Sequence, residues 1–295
     1  MQDSSALTIF LPLALGVIML GLGLSLRLQD FRNVLEQPKA VIVALICQTA
    51  ILPVACLALC YAFGLEPALA VGMMLLAASP GGTSANLYSH LAGGDVALNI
   101  TLTAINSALS ILTLPLIVNW SLAHFFSDGQ AIPLQFDKVL QVFVIVLGPV
   151  IIGMFLRSRF PGFADAMARP VKILSAVFLF AVVFVALIQE WETLKTWAPI
   201  VGLATLTFNL ISLAVGYYVP RFAGIDKRQA TAIGMEIGIH NGTLAIAIAL
   251  SPLLLNNGTM AVPAAIYGLI AFVTAAIFGA WLKRRQAGAV EAPAR

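Results

Sequence analysis

Charge is scarce in this sequence. Only 10% of its 295 residues are Asp, Glu, Lys or Arg, where a soluble domain carries roughly 25%. A chain so poor in charge cannot clothe a water-facing surface, and no polar stretch is long enough to make a separate soluble domain. Cysteine is scarce as well. Cys47, Cys56 and Cys60 fall in one apolar run, which argues against a disulfide framework or a zinc site and leaves them as small packing residues. There is no phosphate-cradling Gly-rich loop, no Gly-x-Ser-x-Gly elbow and no His-Glu-x-x-His helix, so an ATP-driven pump and the common hydrolases lack their machinery. The opening residues Met1 to Ser5 carry no basic run, and no small-residue cleavage site follows the first apolar stretch. That stretch is expected to stay as a helix and not to leave as a signal peptide.

What is abundant is apolar surface: 60% of residues are hydrophobic, and the mean hydropathy is +0.98. Runs of about 20 apolar residues, enough to span a bilayer as helix, recur along the whole length. The expected spans are 5–26, 39–63, 67–92, 96–124, 138–156, 171–189, 198–219, 229–255 and 261–282. The fold class is therefore all-α, a single polytopic membrane domain over 1–295 with about nine transmembrane helices. Fourteen of the sixteen basic residues fall in alternate loops and at the C-terminus, and only Lys138 and Lys195 fall on the other side. The positive-inside rule then puts the C-terminus in the cytoplasm and the N-terminus outside, in the cell (inner) membrane. The net charge of +3 belongs to topology and calls for no nucleic acid partner. Residues 283–295 are expected to be a cytoplasmic tail, with Lys283-Arg284-Arg285 as a stop signal at the cytoplasmic face and the short stretch after it disordered.

Two spans are interrupted. The third contains Pro80-Gly-Gly-Thr-Ser-Ala-Asn86, and the eighth contains Gly234-Met-Glu-Ile-Gly-Ile-His-Asn-Gly-Thr243. Proline and paired glycines weaken a helix, so both segments are expected to unwind near the bilayer midplane, buried in protein or lining a watery cavity. The two spans run in opposite directions at matching places, the pattern of an inverted repeat whose breaks build a transport site.

Of the thirteen acidic residues, only Glu236 lies deep in a span. A charge there costs roughly 2.5–3.5 kcal/mol, which makes it a functional residue by default; the plainer alternative is a carboxyl group that ties two helices together. His240 and Asn241 follow it. Unwound backbone here would free the carbonyls of Glu236, Ile237 and Ile239, and a carboxylate with carbonyl and amide oxygens forms a hard-oxygen set suited to Na+. Further polar side chains lie mid-span: Gln48, Asn86, the stripe Asn99, Thr103 and Asn106, and the stripe Thr205, Asn209 and Ser212. The plain reading of each stripe is polar glue between helices. For Asn99 and Thr103 we favour a functional role, because Asn86 and Glu236 also need partners. His90 and His124 sit at span ends and read as interfacial residues.

Together with Gln48-Thr-Ala-Ile-Leu-Pro53, these two broken motifs resemble the sodium/bile acid symporter family in its nine-helix form, over nearly the whole chain. The resemblance implies a core domain (39–124 and 198–282) carrying two crossing broken helices, and a panel domain (5–26 and 138–189) that moves against it. It implies two sodium sites: one of Asn86, Asn99, Thr103, Glu236 and the Ala85 carbonyl, the other of Gln48, Glu236, the carbonyls of Ile237 and Ile239, and the side chain of His240. Glutamine is common in the family where His240 stands here. An imidazole nitrogen is a poor sodium ligand, which weakens the second site and opens a proton-linked variant. The implied substrate is an organic anion, a pantoate-like carboxylate or a bile-acid-like molecule. No Arg or Lys lies mid-membrane to hold one, so helix N-termini near Gly82, Thr83, Asn241 and Gly242 take that role. The expected function is sodium-coupled symport with no cofactor and no catalytic residue. A proton-coupled carrier or exporter, an intramembrane enzyme using Glu236 and His240, and a receptor that binds without transport stay open.

Overall fold

The computed structural model describes residues 16–290 apart from 18, 83, 127–135, 168, 172, 175–176, 178–183, 185–190 and 252–253. The described residues form helices and no strand beyond one isolated bridge. We number them α1 (helical at 16–17 and 19–25), α2 (Leu28–Arg32), α3 (Pro38–Ala62), α4 (Pro67–Ala78), α5 (Ser84–Leu91), α6 (Val96–Phe125), α7 (Phe136–Arg159), α8 (161–167), α9 (Trp191–Phe222), α10 (Lys227–Gly238), α11 (Gly242–Leu250) and α12 (Val262–Val290).

Helix limits follow local chemistry. Pro38 and Pro67 open α3 and α4, where a missing N–H costs nothing. Asp95 caps α6 by accepting from the Leu98 amide at 3.0 Å, and Asp226 caps α10 by accepting from Arg228 and Gln229. After α3, α5 and α9 the chain turns through Gly64, Gly93 and Gly224, all at positive φ. Each turn is closed by an amide reaching back five residues, such as Leu65 N to Cys60 O at 3.0 Å.

Four described helices are long and apolar enough to cross a membrane: Pro38–Ala62, Val96–Phe125, Lys195–Phe222 and Thr259–Arg284. Their outward faces carry bare apolar side chains such as Val54, Leu116, Leu269 and Ile277, as a helix against lipid must. The chain is thus a multi-pass membrane protein. The third and eighth expected spans are each split into two pieces, α4/α5 and α10/α11. The first and sixth, 5–26 and 171–189, lie partly outside the described residues. α9 begins at Trp191, seven residues before the expected 198, and α12 runs on to Val290. The expectation of a disordered stretch after Arg285 is therefore corrected as far as Val290, which is still helix. Hydropathy marks only the stretch in lipid, and a helix whose backbone bonds are internal continues into the headgroup layer without penalty.

α4 is buried on every side from Leu69 to Ala78, as an apolar helix without a polar face must be. It packs on α3, α6 and the turn at 259–261, while α9 packs on α10 and α12, and α10 also on α5 and α6. Small residues allow the closest approaches. A Cβ on Gly216 of α9 would lie 2.8 Å from the Gly234 Cα of α10. A Cβ on Gly23 of α1 would lie 2.2 Å from the Val150 carbonyl oxygen of α7.

Candidate functional site

The two breaks meet. α4 ends at Ala78, and Ser79 turns to extended backbone, as a residue before proline prefers. α10 ends at Gly238, and Ile239 leaves the helical region. Gly81 and His240 then form a single antiparallel bridge, with Gly82 N donating to Ile239 O at 2.8 Å and Asn241 N to Pro80 O at 2.7 Å. These bonds satisfy backbone that lipid cannot, so each interruption supplies partners for the other. The second break is shorter than its sequence implies. Residues 234–238 stay helical, so Glu236 and Ile237 sit in the last turn of α10 and not on unwound chain. Their carbonyls lack intrahelical partners because a helix ends there.

Glu236 is fully buried. Its Oε2 accepts from Thr103 Oγ1 at 2.6 Å, and its Oε1 accepts from Asn106 Nδ2 at 3.4 Å. Both donors come from one face of α6. Among the described residues no Lys or Arg bridges it, so a buried carboxylate is held by neutral donors alone. Gly81 forms the wall on the Oε1 side: a Cβ there would stand 2.2 Å from Oε1 and 2.6 Å from the Glu236 carbonyl oxygen. Asn99, one turn from Thr103, donates to Ala232 O of α10 at 2.7 Å.

Gln48 occupies a π-helical turn, Cys47–Ile51, inside α3. The wide turn accommodates Pro53, whose ring would clash with the carbonyl four residues back in a regular helix. Gln48 Nε2 donates to Ala77 O at 3.2 Å and Ser79 O at 3.0 Å. His240 Nδ1 meets the same Ser79 carbonyl at 3.2 Å, and its Nε2 lies 3.4 Å from Ser212 Oγ. The imidazole stacks on Phe208 and meets Tyr267 edge-on.

Five of the predicted side chains therefore gather in two groups. Thr103 and Asn99 lie with Glu236 and the last two turns of α10, while Gln48 and His240 share Ser79. No hydrogen bond joins Glu236 to His240 among the described residues. Ala85 and Asn86 lie in the first turn of α5, where the Ala85 carbonyl points along its helix axis. Asn241 caps α11 through Leu244 N at 3.0 Å. Gly242 opens that helix, Gly82 lies in the first break, and Thr83 falls outside the described residues. Reading the sequence missed two things. Asn106 was seen only as the end of a polar stripe, although it touches the carboxylate. Tyr267 carried no signal, yet its hydroxyl and Asn209 Nδ2 both donate to Gly238 O, at 2.9 and 2.8 Å, and Thr274 bonds Asn209 in turn. These side chains clamp the end of α10. Thr205 bonds carbonyls of its own helix, while Ser212 bonds Phe208 O and also meets His240.

The donor set fits a hard cation. Four amide oxygens, Gln48 Oε1, Asn86 Oδ1, Asn99 Oδ1 and Asn106 Oδ1, are buried without a hydrogen-bond partner among the described residues. The hydroxyls of Ser89, Thr101 and Ser107 are bare as well; such acceptors are costly to leave so, and amide oxygens and a carboxylate are the ligand types that an alkali or alkaline-earth ion takes. No cluster of three or more His, Cys, Asp or Glu residues exists among the described residues to favour a softer metal.

A multi-pass helical protein with an acidic, oxygen-lined site where two broken helices cross has the make-up of an ion-coupled solute carrier. The comparisons give the family. A model of the sodium bile acid symporter family matches residues 12–197, more than half of the chain, and the chain belongs to that family. It is 29% identical to an uncharacterised sodium-dependent transporter of Bacillus subtilis, over 97% of this chain and 86% of the relative. It is 28% identical to a probable chloroplastic sodium/metabolite cotransporter of Arabidopsis thaliana, over 85% of this chain and 61% of that protein. It is 26% identical to the ileal sodium/bile acid cotransporter of Oryctolagus cuniculus, over 82% of this chain and 69% of the relative. The family is one of sodium-dependent transporters and not of enzymes, which removes Glu236 and His240 as an acid–base pair.

Proposed function

We propose that this protein carries a small organic anion across the inner membrane, driven by sodium bound at Glu236, by alternating access of a core (39–124 and 198–282) against a panel (5–26 and 138–189). In this reading the chain has about nine transmembrane helices, with its N-terminus outside and its C-terminus cytoplasmic. One sodium ion takes oxygens from Asn86, Asn99, Thr103, Glu236 and the Ala85 carbonyl. A second takes them from Gln48, Glu236 and the carbonyls of Ile237 and Ile239, beside His240. The anion, a pantoate-like carboxylate or a bile-acid-like molecule, is received by amides near Gly82, Thr83, Asn241 and Gly242, where α5 and α11 present N-terminal ends.

The observation that carries this reading is the buried Glu236 carboxylate held by neutral donors, one of them an asparagine whose own amide oxygen is bare. A cation there would neutralise the carboxylate and give that oxygen a partner. The close backbone approach of α1 to α7 at Gly23 and Gly153 supports a panel that moves as a unit. The relatives' names support sodium as the coupling ion and an organic solute as cargo.

The experiment is a thermal-shift titration of the purified protein with NaCl against choline chloride at equal ionic strength, on wild type and Glu236→Gln. A ligand that binds only the folded state raises its melting temperature with concentration. Stabilisation by sodium in the wild type, absent in the variant, is expected. Equal responses to sodium and choline in the wild type would reject the sodium site.

A further inference from the structure

Asn106 stands apart from the residues so far given to the ion. It lies on α6 three residues beyond Thr103, and its side chain is 2% exposed. Its Nδ2 points at Glu236 Oε1 across 3.4 Å, a long and weak contact, while its Oδ1 has no partner among the described residues. A buried asparagine normally satisfies both ends of its amide. Here one end is bound loosely and the other not at all, beside a carboxylate that no basic residue balances.

The other neighbour of Oε1 is Gly81, which packs its backbone against that oxygen and offers it no side-chain donor: a Cβ would stand 2.2 Å from it. Oε2, by contrast, is engaged by Thr103 at 2.6 Å. The two oxygens of Glu236 thus have different roles. Oε2 is anchored, and Oε1 faces the crossing with only a weak donor on it.

We propose that Asn106 is a cation-binding residue of this transporter, whose amide turns about χ2 between two states: Nδ2 towards Glu236 Oε1 without the ion, and Oδ1 towards a sodium ion seated on Oε1 when it binds. The two states need the same side-chain position and differ by half a turn of a planar amide. In the first, the amide shields a bare carboxylate. In the second, two oxygens face each other, an arrangement that repels unless a cation lies between them. The residue therefore helps to hold the carboxylate without the ion and adds a ligand with it. Its oxygen also supplies to the Oε1 side of the carboxylate a ligand that His240 cannot, since the imidazole offers nitrogen. This assignment rests on the sodium reading above.

The test is the same sodium titration, followed by melting temperature, on Asn106→Leu and Asn106→Asp, with calcium chloride as a second probe. Asn106→Leu keeps the branched outline and removes both the oxygen and the donor on Glu236, so the melting temperature in choline should fall by a few degrees and the half-saturating sodium concentration should rise about tenfold or more. Asn106→Asp places a second carboxylate at the site. It should lower the half-saturating sodium concentration and produce a stabilisation by calcium that the wild type lacks, because ligand charge count sets affinity for divalent ions. A structural asparagine would give no such calcium response. A wild type that responds to sodium, with both variants keeping its half-saturation and neither responding to calcium, overturns the role of Asn106 alone. A wild type indifferent to sodium overturns this inference together with the reading beneath it.

Discussion

The replacement Gly81→Ala tests the crossing with one methyl group. The added Cβ would stand 2.2 Å from Glu236 Oε1, 2.3 Å from Cδ and 2.6 Å from the Glu236 carbonyl oxygen, where ordinary contact begins at 3.4 Å. The carboxylate can turn away, but the carbonyl belongs to the backbone of α10, so the two breaks must separate by roughly 0.8 Å. That movement stretches Gly82 N to Ile239 O and Asn241 N to Pro80 O, now 2.8 and 2.7 Å. Overpacking costs about 1–3 kcal/mol, and each of the two bonds is worth about 1 kcal/mol net. A total of about 3 kcal/mol corresponds to roughly a hundredfold loss if all of it falls on ion binding. If it falls on folding, the melting temperature drops by roughly 5–10 °C. The assay is the sodium thermal-shift titration, with Gly82→Ala as control, because a Cβ on Gly82 meets nothing closer than 3.5 Å. Gly81→Ala should lose either sodium affinity or stability, and Gly82→Ala should lose neither. If Gly81→Ala matched the wild type in both melting temperature and sodium half-saturation, the closeness of Glu236 to the first break would be refuted.

Other expectations follow from the same geometry. Thr103→Val removes the donor on Glu236 Oε2 and should weaken sodium half-saturation by about tenfold, the effect of losing a hydrogen bond to a buried charged group; isothermal titration calorimetry would read it. His240→Gln offers a side-chain oxygen where the imidazole meets Ser79 O through nitrogen, and should tighten sodium binding severalfold. Measured from about pH 5.5 to 8.5, a wild-type sodium response that follows pH while the glutamine variant stays flat would assign the difference to histidine titration. Tyr267→Phe removes one of the two donors on Gly238 O and should lower the melting temperature by a few degrees, since one buried hydrogen bond is worth about 1 kcal/mol.

Much of this was legible in the residues. Pro80-Gly81-Gly82 and the glycine pair at 238 and 242 announce two breaks, and a single acidic residue deep in a span announces the site. The positions of the breaks were less legible. Gly234 and Gly238 stay in helix because Gly234 packs against Gly216 of α9 and the end of α10 is clamped by Asn209 and Tyr267, contacts from residues about 20 to 30 positions away in the chain. The π turn around Gln48 was hidden for a similar reason: Pro53 predicts a disturbance but not that the helix will absorb it by widening. Asn106 could have been found, because it continues the spacing of Asn99 and Thr103. The spacing alone did not say which members of the stripe face the carboxylate and which hold helices together. On α9, with the same spacing, Thr205 bonds its own helix while Ser212 also reaches His240.

The panel gives the last test. A Cβ on Gly23 would lie 2.2 Å from Val150 O, and one on Gly153 would lie 2.6 Å from Leu20 O, so α1 and α7 touch backbone to backbone. Lipid offers apolar side chains as good a solvent as a neighbouring helix, so such a contact depends on close packing and is lost when packing is blocked. Gly23→Leu should push the two helices apart by some ångströms. None of the residues assigned to sodium lies on α1 or α7. If panel and core are separate bodies, the variant should keep the sodium-specific rise in melting temperature with an unchanged half-saturation, yet lose uptake of a carboxylate substrate from a sodium medium into sodium-free proteoliposomes. If instead sodium affinity falls with uptake, α1 is part of the frame that holds Glu236. The division into a moving panel and an ion-binding core would then be wrong for this chain.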